Sequence, residues 1–143
     1  SARQAAAIMP PGSAVGILAT EGTARAGLYQ SALQDAGLRG LTPGVAAQGW
    51  VSQAIGMVKS GLAGSNATHL VLRAVAELIA DGAKALVAAC TEIPIILDQS
   101  DVEVPLIDPT DILARTAVDW ASGQPGLEEF AARTGASADA RRD

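Results

Sequence analysis

Apolar and polar residues follow two different periods along the chain. Short, continuously apolar runs predict β-strands that are covered on both faces. Longer segments place apolar residues at i, i+3 and i+4, which predicts helices that pack on one side. The predicted strands are residues 14–19, 39–43, 84–90 and 104–108. The predicted helices are residues 23–36, 45–60, 67–80 and 109–121.

Capping residues mark the ends of several predicted helices. Gly37 follows the first helix, as is typical of a helix C-terminus. Ser65, Asn66 or Thr68 is expected to cap the third helix, and Thr110 the fourth.

Strands that alternate with helices predict an α/β fold. We expect a three-layer sandwich: a four-stranded parallel sheet with helices on both faces and right-handed crossovers. Open sheets of this kind bind ligands outside the carboxyl ends of their strands. Polar residues follow every predicted strand, so four loops are expected to meet at one edge of the sheet. These loops are residues 20–23, 42–44, 90–92 and 108–110.

Composition excludes several classes of partner. Aromatic residues make up 3% of the chain, the net charge is −5 and the pI is about 4.7. A protein of this charge is not expected to bind nucleic acid or an anionic membrane surface. One cysteine and one histidine are too few for a disulfide or for a Cys/His metal site. We therefore expect no metal and a cytoplasmic location.

The two ends of the chain differ from its centre. No run of apolar residues is long enough for a membrane helix. Residues 1–13 are typical of the last turns of a helix that begins elsewhere, which suggests part of a larger protein. Residues 123–143 form a polar C-terminal tail, so the predicted domain is 1–122.

Thr20, Gly22 and Thr23 form the turn after the first predicted strand. A turn of this kind offers hydroxyls and backbone N–H groups at a helix N-terminus, which suits a carboxylate or phosphate. The alternative is a capped turn that binds nothing, because threonine is a common N-cap.

Cys90 lies where the third strand is followed by a helical segment. A thiol at a helix N-terminus has a lowered pKa, and such a group can take up and release protons. Thr91 can donate a hydroxyl hydrogen bond, and Glu92 suits the first turn of a helix. The alternative is a small buried hydrophobic side chain, as most free cysteines are.

Cationic side chains are weaker candidates for functional residues than Cys90. Lys59 ends the second helix, where lysine is common for electrostatic reasons alone. Arg25 and Arg73 are expected to be solvated helix residues, and His69 is remote from Cys90 in sequence.

Three segments together resemble the aspartate/glutamate racemases, a family of cofactor-independent amino-acid racemases. They are "VGILATEGTARAGLYQ" (15–30), "CTEIPIIL" (90–97) and "VPLIDPTDILARTAVDWA" (104–121), and the similarity covers residues 10–122. The family has two similar α/β lobes with the active site between them. The chain resembles the second lobe and a closing helix at 109–121.

The resemblance implies roles for the candidate residues. Cys90 matches the second of two catalytic cysteines, and Thr91 helps to hold the substrate α-carboxylate. Residues Thr20, Gly22 and Thr23 match the carboxylate-binding turn. Lys59 falls where a lysine contacts the distal carboxylate of aspartate. The partners implied are a small amino acid or dicarboxylate and either a second copy of the chain or a complementing lobe; no cofactor is implied.

The chain departs from the family pattern in one respect. The first lobe and its cysteine are not in these 143 residues. Two alternatives therefore stay open beside the racemase. One is a non-catalytic fragment that binds carboxylates or oligomerises. The other is a single-cysteine decarboxylase or lyase of the same superfamily.

Overall fold

The computed structural model describes residues 2–122. The chain divides into two compact units between Pro109 and Thr110, and each unit is described by itself. The predicted tail, residues 123–143, lies outside the described residues.

The first unit alternates strands and helices. Its strands are β1 Ala14–Leu18, β2 Arg39–Leu41, β3 Ala83–Ala88 and β4 Leu106–Ile107. Its helices are α1 Ala2–Ile8, α2 Glu21–Ala26, α3 Leu28–Asp35, α4 Val45–Lys59, α5 Ser65–Ala80 and α6 Ile93–Ile96, followed by a 3₁₀ turn at Gln99–Asp101. Helix α7 spans Pro109–Ala121 and so lies almost wholly in the second unit.

The four strands form one parallel sheet in the order β2-β1-β3-β4. The chain moves outward from β1 to β2 and then crosses back to β3, so the strand order reverses between β1 and β3. Right-handed crossovers place α2 and α3 on one face of the sheet, and α4 and α5 on the other. The predicted α/β fold is confirmed.

The sheet is central because its middle strands are apolar on both faces. All five residues of β1 are buried. Gly16 allows the close packing of α5 on this strand: a Cβ there would lie 2.8 Å from Leu86 Cδ2 and 3.0 Å from Leu78 Cδ1. Val71, Ala74 and other residues of α5 join α4 and α6 in one apolar core.

Three local expectations were wrong. The helix predicted at 23–36 is broken at Gly27, whose φ of 71° ends α2 and begins α3. The N-cap of α5 is Gly64 without a side-chain hydrogen bond, rather than Ser65, Asn66 or Thr68. Helix α7 begins at Pro109, so Thr110 lies inside its first turn instead of capping it.

Helix α7 is amphipathic in sequence but exposed on its apolar side. Leu113 and Trp120 share this side and are each more than half exposed. Its Asp111 and Arg115 form an ion pair one turn apart on the helix surface.

Candidate functional site

The turns after β1 and β3 lie side by side at the carboxyl edge of the sheet. Leu18 pairs with Ala88 at the ends of the two strands. One residue further on, the N–H of Ala89 donates a 2.8 Å hydrogen bond to the Leu18 carbonyl. The strand order reverses here, and this is where open α/β sheets form their ligand crevice. The fold therefore brings residues 20–23 and 90–92 to the same place.

The β1 turn is organised by its threonines. Thr20 has extended backbone angles and caps α2, and its Oγ1 accepts a 3.2 Å hydrogen bond from the N–H of Thr23. The two hydroxyl oxygens lie 2.9 Å apart and share a second hydrogen bond. Gly22 leaves open space, because no described atom outside its chain neighbours and its own helix backbone lies within 4 Å of the position that a Cβ would take. The turn thus presents hydroxyls and first-turn N–H groups without a covering side chain.

The β3 turn is organised by a carboxylate. The half-buried Cys90 thiol donates to Glu92 Oε2 across 2.9 Å. The Thr91 hydroxyl donates to the same oxygen across 3.1 Å. Glu92 precedes α6, a helix of one turn with Pro94 near its start. Three consecutive residues therefore converge on one acceptor oxygen.

Lys59 reaches the same cluster from the end of α4. Its Nζ lies 3.7 Å from Glu92 Oε1, and its side chain is 58% exposed against 19% for Glu92. This is a loose and mainly solvated ion pair. Lys59 was predicted to contact a substrate carboxylate; in the structure its neighbour is the carboxylate of Glu92.

The electrostatics of Cys90 differ from the sequence-based expectation. Burial and the hydrogen bond to Glu92 raise the pKa of the Cys90 thiol, and the nearby Lys59 only partly opposes them. The same hydrogen bond lowers the pKa of the Glu92 carboxyl. The prediction of a lowered thiol pKa was wrong, because the one-turn α6 supplies little helix dipole and a carboxylate faces the sulfur.

Two neighbouring residues were missed from the sequence. Burial, followed by the charges of Cys90 and Asp108, raises the pKa of Tyr29 on α3, so its ring lies near the thiol. Gln48 on α4 donates a 2.9 Å hydrogen bond to the carbonyl of Ala19 and steadies the strand just before Thr20. The only available signal was that Tyr29 is the single tyrosine of the chain.

A cavity of about 430 Å³ lies beside the β1 turn. Gln48 contributes to its wall, and the Oε1 of this residue is buried without a hydrogen-bond partner among the described residues. None of the predicted site residues lines the cavity. The lining residues are Glu21, Ala24, Arg25, Thr42, Pro43, Val45, Gln48, Gly49 and Ser52.

Residues 2–122 contain neither a metal-binding cluster nor a membrane-crossing helix. No group of three or more His, Cys, Asp or Glu side chains is placed to hold a metal ion there. Across the same residues, no helix has the length and apolar character needed to cross a membrane.

The chain is similar to two solved structures in both sequence and fold. A candidate Asp/Glu racemase from Yersinia pestis is 28% identical with a TM-score of 0.68, covering 76% of this chain and 48% of that one. The aspartate racemase of Picrophilus torridus is 28% identical with a TM-score of 0.60, covering 78% of this chain and 46% of that one. The present chain thus spans about half the length of these structures.

Two further comparisons agree with this result. An aspartate racemase homologue from Pyrococcus horikoshii OT3, 24% identical, has the same fold with a TM-score of 0.70, over 85% of this chain and 55% of that one. An uncharacterized protein in the pnlA 3′ region of Pectobacterium carotovorum subsp. carotovorum is 35% identical over 109 residues, which are 74% of this chain and 71% of that one. The Asp/Glu/hydantoin racemase family matches residues 1–117. The chain therefore belongs to the Asp/Glu/hydantoin racemase family, of which it represents a single α/β lobe.

Proposed function

We propose that this lobe takes part in cofactor-independent racemisation of aspartate- or glutamate-type amino acids, with Cys90 as an acid/base group at the α-carbon. The observation that carries the proposal is the position of the Cys90 thiol. It lies at the carboxyl edge of the sheet, beside the Thr20 turn, and is hydrogen-bonded to Glu92. Membership of the racemase family supports this assignment.

The reaction needs a site that stabilises negative charge. The α-hydrogen of an amino acid is weakly acidic, and its removal leaves a carbanion whose charge spreads into the carboxylate. Without an electron-withdrawing cofactor, the stabilisation must come from hydrogen-bond donors around that carboxylate. Thr20 and Thr23 supply hydroxyls, and Gly22 supplies a first-turn N–H next to open space, whereas the Thr23 N–H is already bonded to Thr20 Oγ1. We assign the substrate α-carboxylate to this turn.

Cys90 performs the proton transfer on one face of the α-carbon. In one direction the S–H bond breaks, a C–H bond forms and a thiolate remains. In the other direction the thiolate takes the α-hydrogen and becomes a thiol again. Inversion needs a second acid/base group on the opposite face. Cys90 is the single cysteine of the sequence, so a second thiol must come from outside these 143 residues.

Thr91, Glu92 and Lys59 complete the proposed binding set. Glu92 is anionic and suits the substrate ammonium group, which the neutral Thr20 turn does not attract. Thr91 adds a hydroxyl beside the thiol. The Lys59 ammonium is held only loosely by Glu92, so it is free to bind the distal carboxylate of a dicarboxylic amino acid.

The opposite acid/base group is supplied by a complementing lobe or by a second copy of the chain. The exposed apolar side of α7 supports association, because Leu113 and Trp120 are open to solvent. Light scattering over a range of concentrations tests self-association. A cytoplasmic location fits a reactive single thiol, which reducing conditions keep free.

The direct test is α-proton exchange followed by NMR in D₂O. The protein is incubated with L- and D-aspartate and with L- and D-glutamate, and the Cys90→Ala variant is the control. Exchange with inversion that depends on Cys90 supports the racemase. Exchange without inversion supports Cys90 as a base on one face. Exchange no faster than in the variant would contradict the proposal and favour a carboxylate-binding fragment, which calorimetry would detect.

A second candidate is decarboxylation by a single thiol. The observation in its favour is that the sequence holds one cysteine, and that this thiol has a raised pKa. A protonated thiol needs no opposite partner to protonate a planar enolate on one face. Release of carbon dioxide from an arylmalonate, lost in Cys90→Ala, would distinguish this activity from racemisation.

A further inference from the structure

One carboxylate connects every polar group of the β3 turn. Oε2 of Glu92 accepts from Cys90 Sγ at 2.9 Å and from Thr91 Oγ1 at 3.1 Å. The other oxygen, Oε1, faces Lys59 Nζ at 3.7 Å. The Glu92 side chain is 19% exposed, so its position is defined by packing as well as by these contacts. A residue that served only to bind substrate would have no need to engage the thiol itself.

We infer that Glu92 is a positioning residue that holds Cys90 in its protonated form and fixes the direction of its S–H bond, while Lys59 limits this effect. In the resting protein, Cys90 is then a proton donor rather than a base. The inference rests on the proposed function for its catalytic meaning, but its test does not depend on turnover.

The physical reason is repulsion between neighbouring anions. A thiolate and a carboxylate about 3 Å apart are unfavourable together, so the pair keeps one proton between them. The raised pKa of the Cys90 thiol and the lowered pKa of the Glu92 carboxyl both favour the proton on sulfur. Lys59 is the cation that faces the pair, and Tyr29 is a titratable group that interacts electrostatically with Cys90 and with Asp108. Neither Tyr29 nor Asp108 adds positive charge that would favour a thiolate.

This arrangement gives the proposed racemisation a preferred direction. In the resting protein the α-hydrogen is removed by a base on the face opposite Cys90. The Cys90 S–H bond then breaks as the new C–H bond forms, and Glu92 faces a thiolate. That state is disfavoured until the thiolate regains a proton from solvent or from a second substrate molecule. Glu92 therefore sets which enantiomer the resting site is ready to accept.

The test is the pH profile of alkylation by iodoacetamide, read by intact mass. Because the chain has one cysteine, the label reports Cys90 alone. The reference is a peptide of residues 86–94, which has the same local sequence without the fold. We expect the alkylation midpoint of the folded protein to lie at higher pH than that of the peptide. The plateau rate at high pH separately measures access to the sulfur, so reduced access cannot imitate the shift.

Glu92→Gln isolates the role of the carboxylate. The amide keeps the size of the side chain but removes the negative charge, so the midpoint should move to lower pH. Alkylation at pH 7 should become roughly threefold to tenfold faster than in the unmodified protein. The matched control is Glu103→Gln, which makes the same change in net charge at an exposed position of the chain. Unchanged midpoints in both variants, or an upward shift in Glu92→Gln, would overturn the inference.

Two further variants decide the matter if Glu92→Gln does not fold, as judged by circular dichroism. Glu92→Asp withdraws the carboxylate from the thiol by one methylene and should lower the midpoint relative to the unmodified protein. Lys59→Met should raise the midpoint, with a change of at most about twofold in rate, because Lys59 is mainly solvated. Shifts of the two variants in the same direction would contradict the assigned roles. Absence of racemase activity in all of these proteins would contradict only the proposed function.

Discussion

The turns after β1 and β3 occupy neighbouring positions at one edge of the sheet but are built on opposite principles. In the β1 turn, Thr20 and Thr23 bond to each other and present neutral donors around the open space at Gly22. In the β3 turn, Cys90 donates to a carboxylate, and Lys59 balances part of that charge. One turn can receive an anion, whereas the other would repel it.

This difference assigns separate roles to the two turns in the proposed reaction. A substrate carboxylate would gain hydrogen bonds at the β1 turn, where the negative charge of Glu21 is paired with Arg25. The same carboxylate beside Glu92 would meet an anion. The β3 turn instead controls where a proton resides, because its thiol and carboxylate share one. Binding and proton transfer are thus assigned to adjacent strands, whose spacing the sheet fixes.

The largest expected effect is at the reacting atom of the β3 turn. Cys90→Ser should slow α-proton exchange of aspartate by at least about a hundredfold, because a hydroxyl is a far weaker acid than a thiol. Binding of aspartate, measured by calorimetry, should change little. Full activity in this variant would contradict the assignment of proton transfer to Cys90 in the β3 turn.

The next effect is structural and belongs to the β1 turn. Thr20→Val removes the hydroxyl that caps α2 and should lower the free energy of unfolding by about 1 kcal/mol. Aspartate binding should weaken in the same variant. Thr20→Ser keeps the hydroxyl and serves as the control in denaturant titrations. A loss of stability in Thr20→Ser with none in Thr20→Val would mean that the methyl group, not the cap, is what matters.

The features that sequence could predict are those that follow from periodicity along the chain. The alternation of apolar runs and amphipathic segments predicted the parallel sheet. Because the loops after parallel strands meet at the carboxyl edge of a sheet, residues 20–23 and 90–92 were predicted to lie close together. The break at Gly27 was missed, because the apolar period continues across it.

Contacts between residues that are distant in sequence could not be predicted from periodicity. Lys59 and Glu92 are far apart in sequence, and nothing in the spacing of either shows that they pair. Without that pair and the Glu92 hydrogen bond, the helix-dipole rule gave the wrong direction for the pKa of Cys90. Candidate site residues could be named from the chain, but the charges around them depend on the folded arrangement.

Lys59→Met tests whether the cation beside the β3 turn sets the preference for aspartate over alanine. Loss of the ammonium should reduce the affinity for aspartate severalfold while leaving that for alanine unchanged, because only aspartate has a distal carboxylate. Competition calorimetry with the two amino acids measures the ratio. The matched control is Lys84→Met on β3, which removes one positive charge at an exposed position. An equal change for both amino acids would contradict a role for Lys59 in recognising the side chain.

The smallest effect on stability is expected at Gly22. A methyl group there meets no described atom within 4 Å outside its chain neighbours and its own helix backbone, so Gly22→Ala should leave the unfolding free energy unchanged or raise it by up to about 1 kcal/mol. Gly16→Ala is the contrasting variant, because its methyl group would press on Leu86 and Leu78 and should destabilise by roughly 1–3 kcal/mol. Thermal unfolding compares the two. Similar losses at both positions would show that the space at Gly22 is not open.

The central claim is that the two turns form one site, in which the β1 turn binds the carboxylate that brings substrate to the Cys90 thiol. The most direct measurement is the rate of Cys90 alkylation with and without aspartate, in the unmodified protein and in Gly22→Ala. The account predicts that aspartate slows alkylation in the unmodified protein and that the methyl group at Gly22 largely removes this protection. An alkylation rate that aspartate does not change, or protection that is equal in both proteins, would contradict the account.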